Sequence, residues 1–294
     1  MKITMKTIKV FVFFILISLS VHAQDMNIQG LLDWDRMEFS AVLTLDIHRA
    51  GIRLPAGRSL AESLLEGHHS ELIRPMLMGI QADSSTTLAD LVNRGEVSPA
   101  SFMGTMRGFP PALSRDQSAM SASYSIKLHD IGAQLVRHSR TERISPPLIP
   151  VPARDYTGII IIIDENLPVH GRSSSALALP CLFPKIWDNE MNLIFERNMM
   201  DAQLLRQIGL VQYTSRENIT RPVPSALDDT IIRRVGENPL RIMALGLFGA
   251  VPTDPIIDRE DALTILSSEN NRQLLSEGRI VFVLNRDVLR QEAL

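Results

Sequence analysis

Two segments of the chain alternate apolar and polar residues with a period of two. In Glu38–His48, Phe39, Ala41, Leu43, Leu45 and Ile47 fall on one side, and Ser40, Thr44, Asp46 and His48 on the other, with Val42 the exception. In Gln117–His129, Met120, Ala122, Tyr124, Ile126 and Leu128 alternate with Ser121, Ser123, Ser125, Lys127 and His129. That period predicts strands with one buried face, paired in one antiparallel sheet. Between them Leu60, Leu64, Leu65, Leu72, Ile73, Met76 and Leu77 recur at helical spacing. Gly67 and Pro75 predict that this helix is broken into two pieces. Ile80–Ser85 is a short strand candidate. Thr87 with Asp90 marks a helix start that Gly95 stops, and Ser98-Pro99 marks a second that Phe109-Pro110-Pro111 closes. These helices are expected to cover the apolar face of the sheet. Before them, Gln24–Arg36 reads only as a short segment holding Trp34.

The second half is built from unbroken apolar runs. Ile159–Ile163, between Gly158 and Asp164, predicts a strand buried on both faces. Leu182–Trp187 and Met191–Glu196 flank Asp188-Asn189-Glu190 and predict a hairpin. Helices are expected over Asp201–Ile208, Ser225–Val235, from Asp258, and over Ser267–Leu275. Strands are expected near Leu210–Tyr213, Leu240–Phe248 and Ile280–Leu284. The stretch ISPPLIPVP, Ile144–Pro152, stops helix and strand alike and reads as a stiff connector. The expected class is therefore α+β, after a leader at 1–23. An N-terminal domain at 24–143 and a C-terminal domain at 155–294 are joined by a linker at 144–154. Each domain is expected to hold a mostly antiparallel or mixed sheet with helices on one face.

Composition adds a compartment. Lys2, Lys6 and Lys9 precede the apolar run Val10–Val21, and Ala23 offers a small residue for cleavage, the layout of a secretory signal. The run falls short of the ~20 residues of a comfortable membrane span. Removing those three lysines leaves 27 basic against 33 acidic side chains, a formal charge of −6. That balance argues against nucleic acid as a partner. A periplasmic protein is expected, with no integral span after cleavage; association with the outer membrane is open. Cys181 is the single cysteine, so no internal disulfide forms. It lies in an apolar stretch and reads as an inert buried thiol. With 45% hydrophobic but only 5% aromatic residues, the core must be largely aliphatic.

No catalytic signature accompanies this architecture. Walker and dinucleotide glycine patterns, the G-x-S-x-G elbow and H-E-x-x-H are all missing from the sequence. His68-His69 are adjacent, which points their rings about 100° apart on a helix and unsuits them to one ion. Asp254, Asp258, Glu260 and Asp261 lack the spacing of a calcium loop and are read as acids at a helix start. The polar cluster of most interest is Asp164 and Glu165, at the end of the isoleucine strand, with His170 six residues on. Ligands gather at such strand ends, so these three are the candidate ligand-binding residues. No catalytic residue, metal or cofactor is expected.

Several segments carry a family resemblance: Ala50–Arg58, Ala82–Ser85, Tyr156–Gly158, Leu167–Gly171, Leu182–Asp188, Thr253–Pro255 and Asn271–Leu284. Through them the chain resembles a group of spirochaetal periplasmic proteins. These are in turn similar to flagellar outer-membrane accessory lipoproteins and to T-type flagellar assembly proteins. The resemblance implies a small α+β module that serves assembly and attachment at the envelope, with no chemistry to carry over. The chain departs from the lipoproteins in lacking a cysteine for acylation after the leader. Glu165 and Asn166 also stand where the resemblance implies a small residue and then a basic residue or glycine. The expected function is a non-enzymatic interaction or scaffold protein of the cell envelope or periplasmic flagellum, with envelope or flagellar proteins as partners. The alternative is a module binding a small ligand or cell-wall fragment near Asp164, Glu165 and His170.

Overall fold

The computed structural model describes residues 26–219 and 229–293. The expected leader, and residues 225–228 of the helix expected from Ser225, lie outside the described residues. Strands β1 (Met26–Asp33) and β2 (Glu38–Asp46) lead into the long helix α1 (Arg58–Met78). A small hairpin follows, β3 (Gln81–Asp83) with β4 (Thr86–Thr87), then α2 (Leu88–Asn93) and α3 (Pro99–Thr105). Short strands β5 (Arg107–Gly108) and β6 (Ala112–Leu113) precede β7 (Ala119–Lys127) and α4 (Leu128–Leu135).

The two alternating segments pair as expected. β2 and β7 run antiparallel from Glu38↔Lys127 to Asp46↔Ala119. Phe39, Ala41, Leu43, Leu45, Met120, Ala122 and Ile126 are buried beneath the helices. Thr87 and Asp90 form the reciprocal cap of α2, and Pro99 opens α3. Helix α1, however, runs unbroken through Gly67 and Pro75, where two pieces are expected. Gly67 faces open space, so it imposes no bend. Ala61, Leu65, Ile73 and Leu77 are buried, and their burial outweighs penalties of roughly 1 kcal/mol for glycine and roughly 3 kcal/mol for proline. Strand β1 is absent from the expected elements. Its inward positions include Gly30, where an added Cβ would lie 2.7 Å from Met76 Sδ. The close approach of α1 thus needs the one residue that contributes nothing to an apolar pattern.

In the second half, β8 (Ile159–Ile163) is followed by the short strands β9 (Leu167–Pro168) and β10 (Ser175–Ala176). Next come the hairpin β11 (Ile186–Asp188) and β12 (Leu193–Phe195), then α5 (Ala202–Ile208). The chain continues through β13 (Gln212–Ser215), α6 (Arg216–Ile219), α7 (Asp229–Val235), β14 (Leu240–Met243), β15 (Gly246–Phe248) and β16 (Asp254–Ile257). Helices α8 (Arg259–Ser267) and α9 (Glu269–Ser276), strand β17 (Ile280–Leu284), helix α10 (Arg286–Leu289) and strand β18 (Arg290–Ala293) complete it.

The isoleucine strand lies inside a four-stranded sheet, β13-β17-β8-β14, whose strands are all parallel. Ile160, Val281 and Val283 pack with Ile231 and Val235 of α7. Ile159, Ile161, Ile163, Phe282 and Leu284 face the main core, which also holds Ile265 and Leu275 of α8 and α9. The strand is buried on both faces, as expected. Helices flank both faces of this sheet where one covered face is expected, because parallel neighbours need crossovers that lie over the faces. The β11–β12 hairpin forms, but in a second sheet, β12-β11-β16-β15. The single strand expected over Leu240–Phe248 is split between the two sheets: Ala244 N–H donates to Ile162 O and Leu245 N–H to Ile256 O, at 3.0 and 2.8 Å.

The two halves share one core. Trp34 meets Tyr213 edge-on, with centroids 5.6 Å apart. The backbone N–H groups of Leu182 and Phe183 donate to Gln81 O and Ala82 O at 3.0 and 2.9 Å. Strand β18, from the segment expected in the C-terminal domain, pairs antiparallel with β1 in the first sheet, from Gly30↔Ala293 to Asp33↔Arg290. Arg290 Nε donates to Asp33 Oδ2 at 3.0 Å across that pair. Residues 136–158 carry neither helix nor strand and bend at Leu148–Ile149. The far end of this connector is fastened by Asn271, whose side chain donates to Arg154 O at 2.8 Å and accepts from Tyr156 N–H at 3.1 Å.

Candidate functional site

The C-terminal ends of the parallel strands bring together residues distant in sequence. Asp164 follows β8, Arg216 follows β13 and Asn285 follows β17. Arg216 forks onto the Asp164 carboxylate, with Nη2 donating to Oδ1 at 2.7 Å and Nε to Oδ2. Glu165 Oε1 lies 3.8 Å from Arg216 Nη2, and Asn285 Nδ2 donates to Asp164 O at 3.4 Å. The expected pair Asp164 and Glu165 is therefore joined by an arginine that the sequence reading misses, because no local pattern ties it to a strand 52 residues earlier. A forked guanidinium suits a carboxylate or phosphate ligand. His170 points elsewhere: its ring tilts against Phe248 with centroids 6.0 Å apart, and its backbone N–H donates to Leu247 O at 2.8 Å. Arg216 is about half exposed, so the Asp164 pair is worth about 1 kcal/mol at most. Arg216→Ala is expected to lower the unfolding free energy by no more than that in urea titrations, and by less in high salt.

His68 and His69 are held by local carbonyls. Nδ1 of His68 lies 2.9 Å from Leu64 O, and Nδ1 of His69 lies 2.6 Å from Glu66 O. The His69 ring stacks on Tyr124, centroids 4.7 Å apart and planes 4° from parallel. Among the described residues no group of three or more His, Cys, Asp or Glu side chains is placed to hold a metal.

A second polar group is fully enclosed. Asp254 lies at the start of β16, a strand position rather than the helix start expected for it; Asp258 caps α8, accepting from Glu260 N–H at 2.8 Å. Asp254 Oδ1 accepts from Thr253 Oγ1 at 2.7 Å and from Lys185 N–H at 3.1 Å. Its Oδ2 and the indole Nε1 of Trp187 make no hydrogen bond of normal geometry, although Trp187 and Ser84 lie near enough to favour the carboxylate. Burial prevails and holds the Asp254 carboxyl above its usual range. Beside it, Tyr213 donates its hydroxyl to Cys181 O at 2.8 Å and accepts from Cys181 N–H at 3.1 Å. Burial likewise raises the Cys181 thiol, which stays protonated and inert.

Asp254 gives the fold a pH term of definite sign. An acid whose folded pKa is raised holds its proton in the native state over a range where the unfolded chain has lost it. Stability then falls as pH rises from the unfolded value through the folded one. Asp254→Asn removes that titration. The melting temperature of the native chain minus that of the variant is therefore expected to decrease from about pH 4 upward and then level off. Calorimetry across pH 4–8 reads this directly, and a flat difference would contradict it.

Two of the open clefts among the described residues bear on binding. One of about 700 Å3 lies between the halves, lined by Asp35, Arg36 and Lys127 on one side and Gln212, Thr214 and Arg233 on the other. Lys127 is paired with Glu38 at 3.0 Å, and Asp35 has a partner of its own. The other, of about 460 Å3, lies on the first half between α1 and the β5–β6 segment. Its floor is the His69–Tyr124 stack, its walls are Met106, Phe109, Pro110 and Pro111, and its rim carries Glu62 and Glu66. Phe109 is 55% exposed there.

Taken together, these features describe an α+β protein of two interlocked halves, with a polar strand-end cluster and an aromatic surface groove. Residues 25–134 match the family model described as Treponema pallidum Tp0624, N-terminal domain, and residues 158–286 match that of Treponema pallidum Tp0624, second domain. The chain belongs to these Tp0624 domain families, in keeping with the spirochaetal family that its sequence resembles. The stretch between the two matches contains the proline-rich connector. No curated protein matches the chain.

Proposed function

We propose that the chain is a non-enzymatic interaction protein of the periplasm that acts as an accessory or scaffold of the cell envelope. The periplasmic flagellum is the machine its sequence resemblance favours. The observation that carries this reading is the groove beside Phe109. A half-exposed aromatic, two prolines and a ring stack under an acidic rim make a surface suited to a partner segment. On the groove itself Glu62 is engaged by Arg58 at 2.9 Å; in the second half, Asp254 and Cys181 are buried away from solvent. A photo-crosslinking residue at Phe109, introduced in the native host, tests it. A discrete crosslinked protein, absent when the probe is moved to exposed Arg241, is the expected result. No crosslink, together with normal motility and cell shape in a deletion strain, would overturn it.

A second reading places a small anionic ligand or cell-wall fragment at the strand ends, where Arg216 could exchange Asp164 for a ligand carboxylate. It is favoured by the convergence of Asp164, Glu165, Arg216 and Asn285 at the edge where parallel sheets bind ligands. Thermal stabilisation by muropeptides that vanishes in Arg216→Ala is its expected mark. Identical melting with and without every such fragment would remove it.

A further inference from the structure

Resting on the interaction reading above, we infer that the groove beside Phe109 receives the Leu148–Ile149 tip of a second copy of this chain. The tip is unusual for a folded surface. Leu148 is fully exposed and Ile149 is 82% exposed, the two most exposed large apolar side chains among the described residues. They occupy a bend framed by Pro146, Pro147 and Pro150, and the connector is tied down just beyond by Val151 N–H donating to Ser267 Oγ at 3.0 Å. A proline-framed tip loses little freedom on binding, which removes much of the usual cost of ordering a loop. Its side chains project from the body and are left uncovered by their own copy. The groove is the matching concavity, with an exposed aromatic and aliphatic lining.

Charge fits the same orientation. Arg140 and Arg143 precede the tip, are exposed, and form no ion pair among the described residues. The groove rim offers Glu62 and Glu66; Glu62 already meets Arg58, which leaves Glu66 the principal acid for an incoming arginine. One tip in one groove is smaller than a standard stable interface of ~1,600 Å2. The association is therefore weak and concentration-dependent, and reciprocal exchange between two copies would strengthen it by using each contact twice.

The test uses the whole purified chain and a peptide spanning residues 139–152. Light scattering across a wide concentration range is expected to show self-association, and the labelled peptide is expected to bind the chain in an anisotropy titration. Leu148→Ser with Ile149→Ser should weaken both by roughly tenfold or more, as should Phe109→Ala, since buried anchors dominate such contacts. Glu66→Lys should weaken peptide binding with a smaller salt dependence. The tip and Phe109 are exposed, so unchanged melting temperatures confirm folding. A chain that stays monomeric with an inert peptide overturns the inference. So does peptide binding that survives the groove substitutions. If Phe109 crosslinks to a different envelope protein while the peptide is inert, this inference fails and the interaction reading stands. If neither the crosslink nor the peptide gives a signal, this inference fails, and the interaction reading falls with it when the deletion strain also keeps normal motility and cell shape.

Discussion

Replacing Arg234 with methionine should lower the unfolding free energy by about 3 kcal/mol or more. Arg234 projects from α7 and is 9% exposed. Its guanidinium donates to Ile208 O at 2.9 Å, Gly209 O at 2.9 Å and Leu210 O at 3.0 Å. Those carbonyls close the C-terminal end of α5, where a helix leaves acceptors without internal partners and where positive charge is favoured. Among the described residues no carboxylate pairs with this arginine, and the carbonyl dipoles offset its burial. Desolvation pushes its pKa down to about 10, which still leaves it charged at neutral pH. Methionine keeps much of the stem and loses every donor, stranding three carbonyls, of which those of Gly209 and Leu210 are buried. Arg234→Lys should recover only part of the loss, because an ammonium cannot reach three acceptors with a flat fork. Urea unfolding midpoints of the two variants check the order; equal stability of all three proteins would refute it.

Gly158→Ala is expected to cost about 3 kcal/mol, at the upper end of overpacking effects, or to prevent folding. An added Cβ at this position would meet the Cα and Cβ of Val235 and lie 2.5 Å from its carbonyl oxygen. Most of what it meets is backbone, which cannot rotate away. The junction is also fixed by hydrogen bonds: Thr157 Oγ1 donates to Val235 O at 2.7 Å, and Leu240 N–H donates to Gly158 O at 2.9 Å. Relief would require α7 to lift off the parallel sheet, opening the small cluster around Ile160, Ile231 and Val281. Gly67→Ala is the matched control, since nothing lies within 4 Å of a Cβ there. It should stabilise α1 by up to about 1 kcal/mol. Melting curves of the pair separate steric exclusion from general glycine effects.

Legibility in the sequence follows what each element relies on. β2 and β7 are readable because one face of each meets the core and the other meets water, so the pattern is written in the residues themselves. β8 and β17 are readable as runs because both faces are buried. β18, Arg-Gln-Glu-Ala, is not readable: it is held by the neighbouring strand's backbone, and its side chains carry no apolar period. α1 misleads because Gly67 and Pro75 are local signals and the decision is made by packing across the sheet. At the candidate ligand site the acids are visible, as charges ending an apolar strand. Arg216 is invisible, since only the sheet order places it beside them. Arg234 is hidden for a related reason: nothing marks which arginine of a helix will turn inward. The groove is partly legible. Phe109-Pro110-Pro111 stands out as a helix stop, but the His69–Tyr124 floor comes from residues on two separate elements.

The pairing of β18 with β1 ties residues near the start of the described chain to those at 290–293. Until residue 293 has been synthesised, β1 presents an open edge, and the first half cannot reach its final sheet however early its own residues emerge. Maturation of the front of the molecule thus waits on the back. Any truncation that stops short of Arg290 would leave a ribbon of unsatisfied peptide groups beside Trp34, ready to recruit a stray strand.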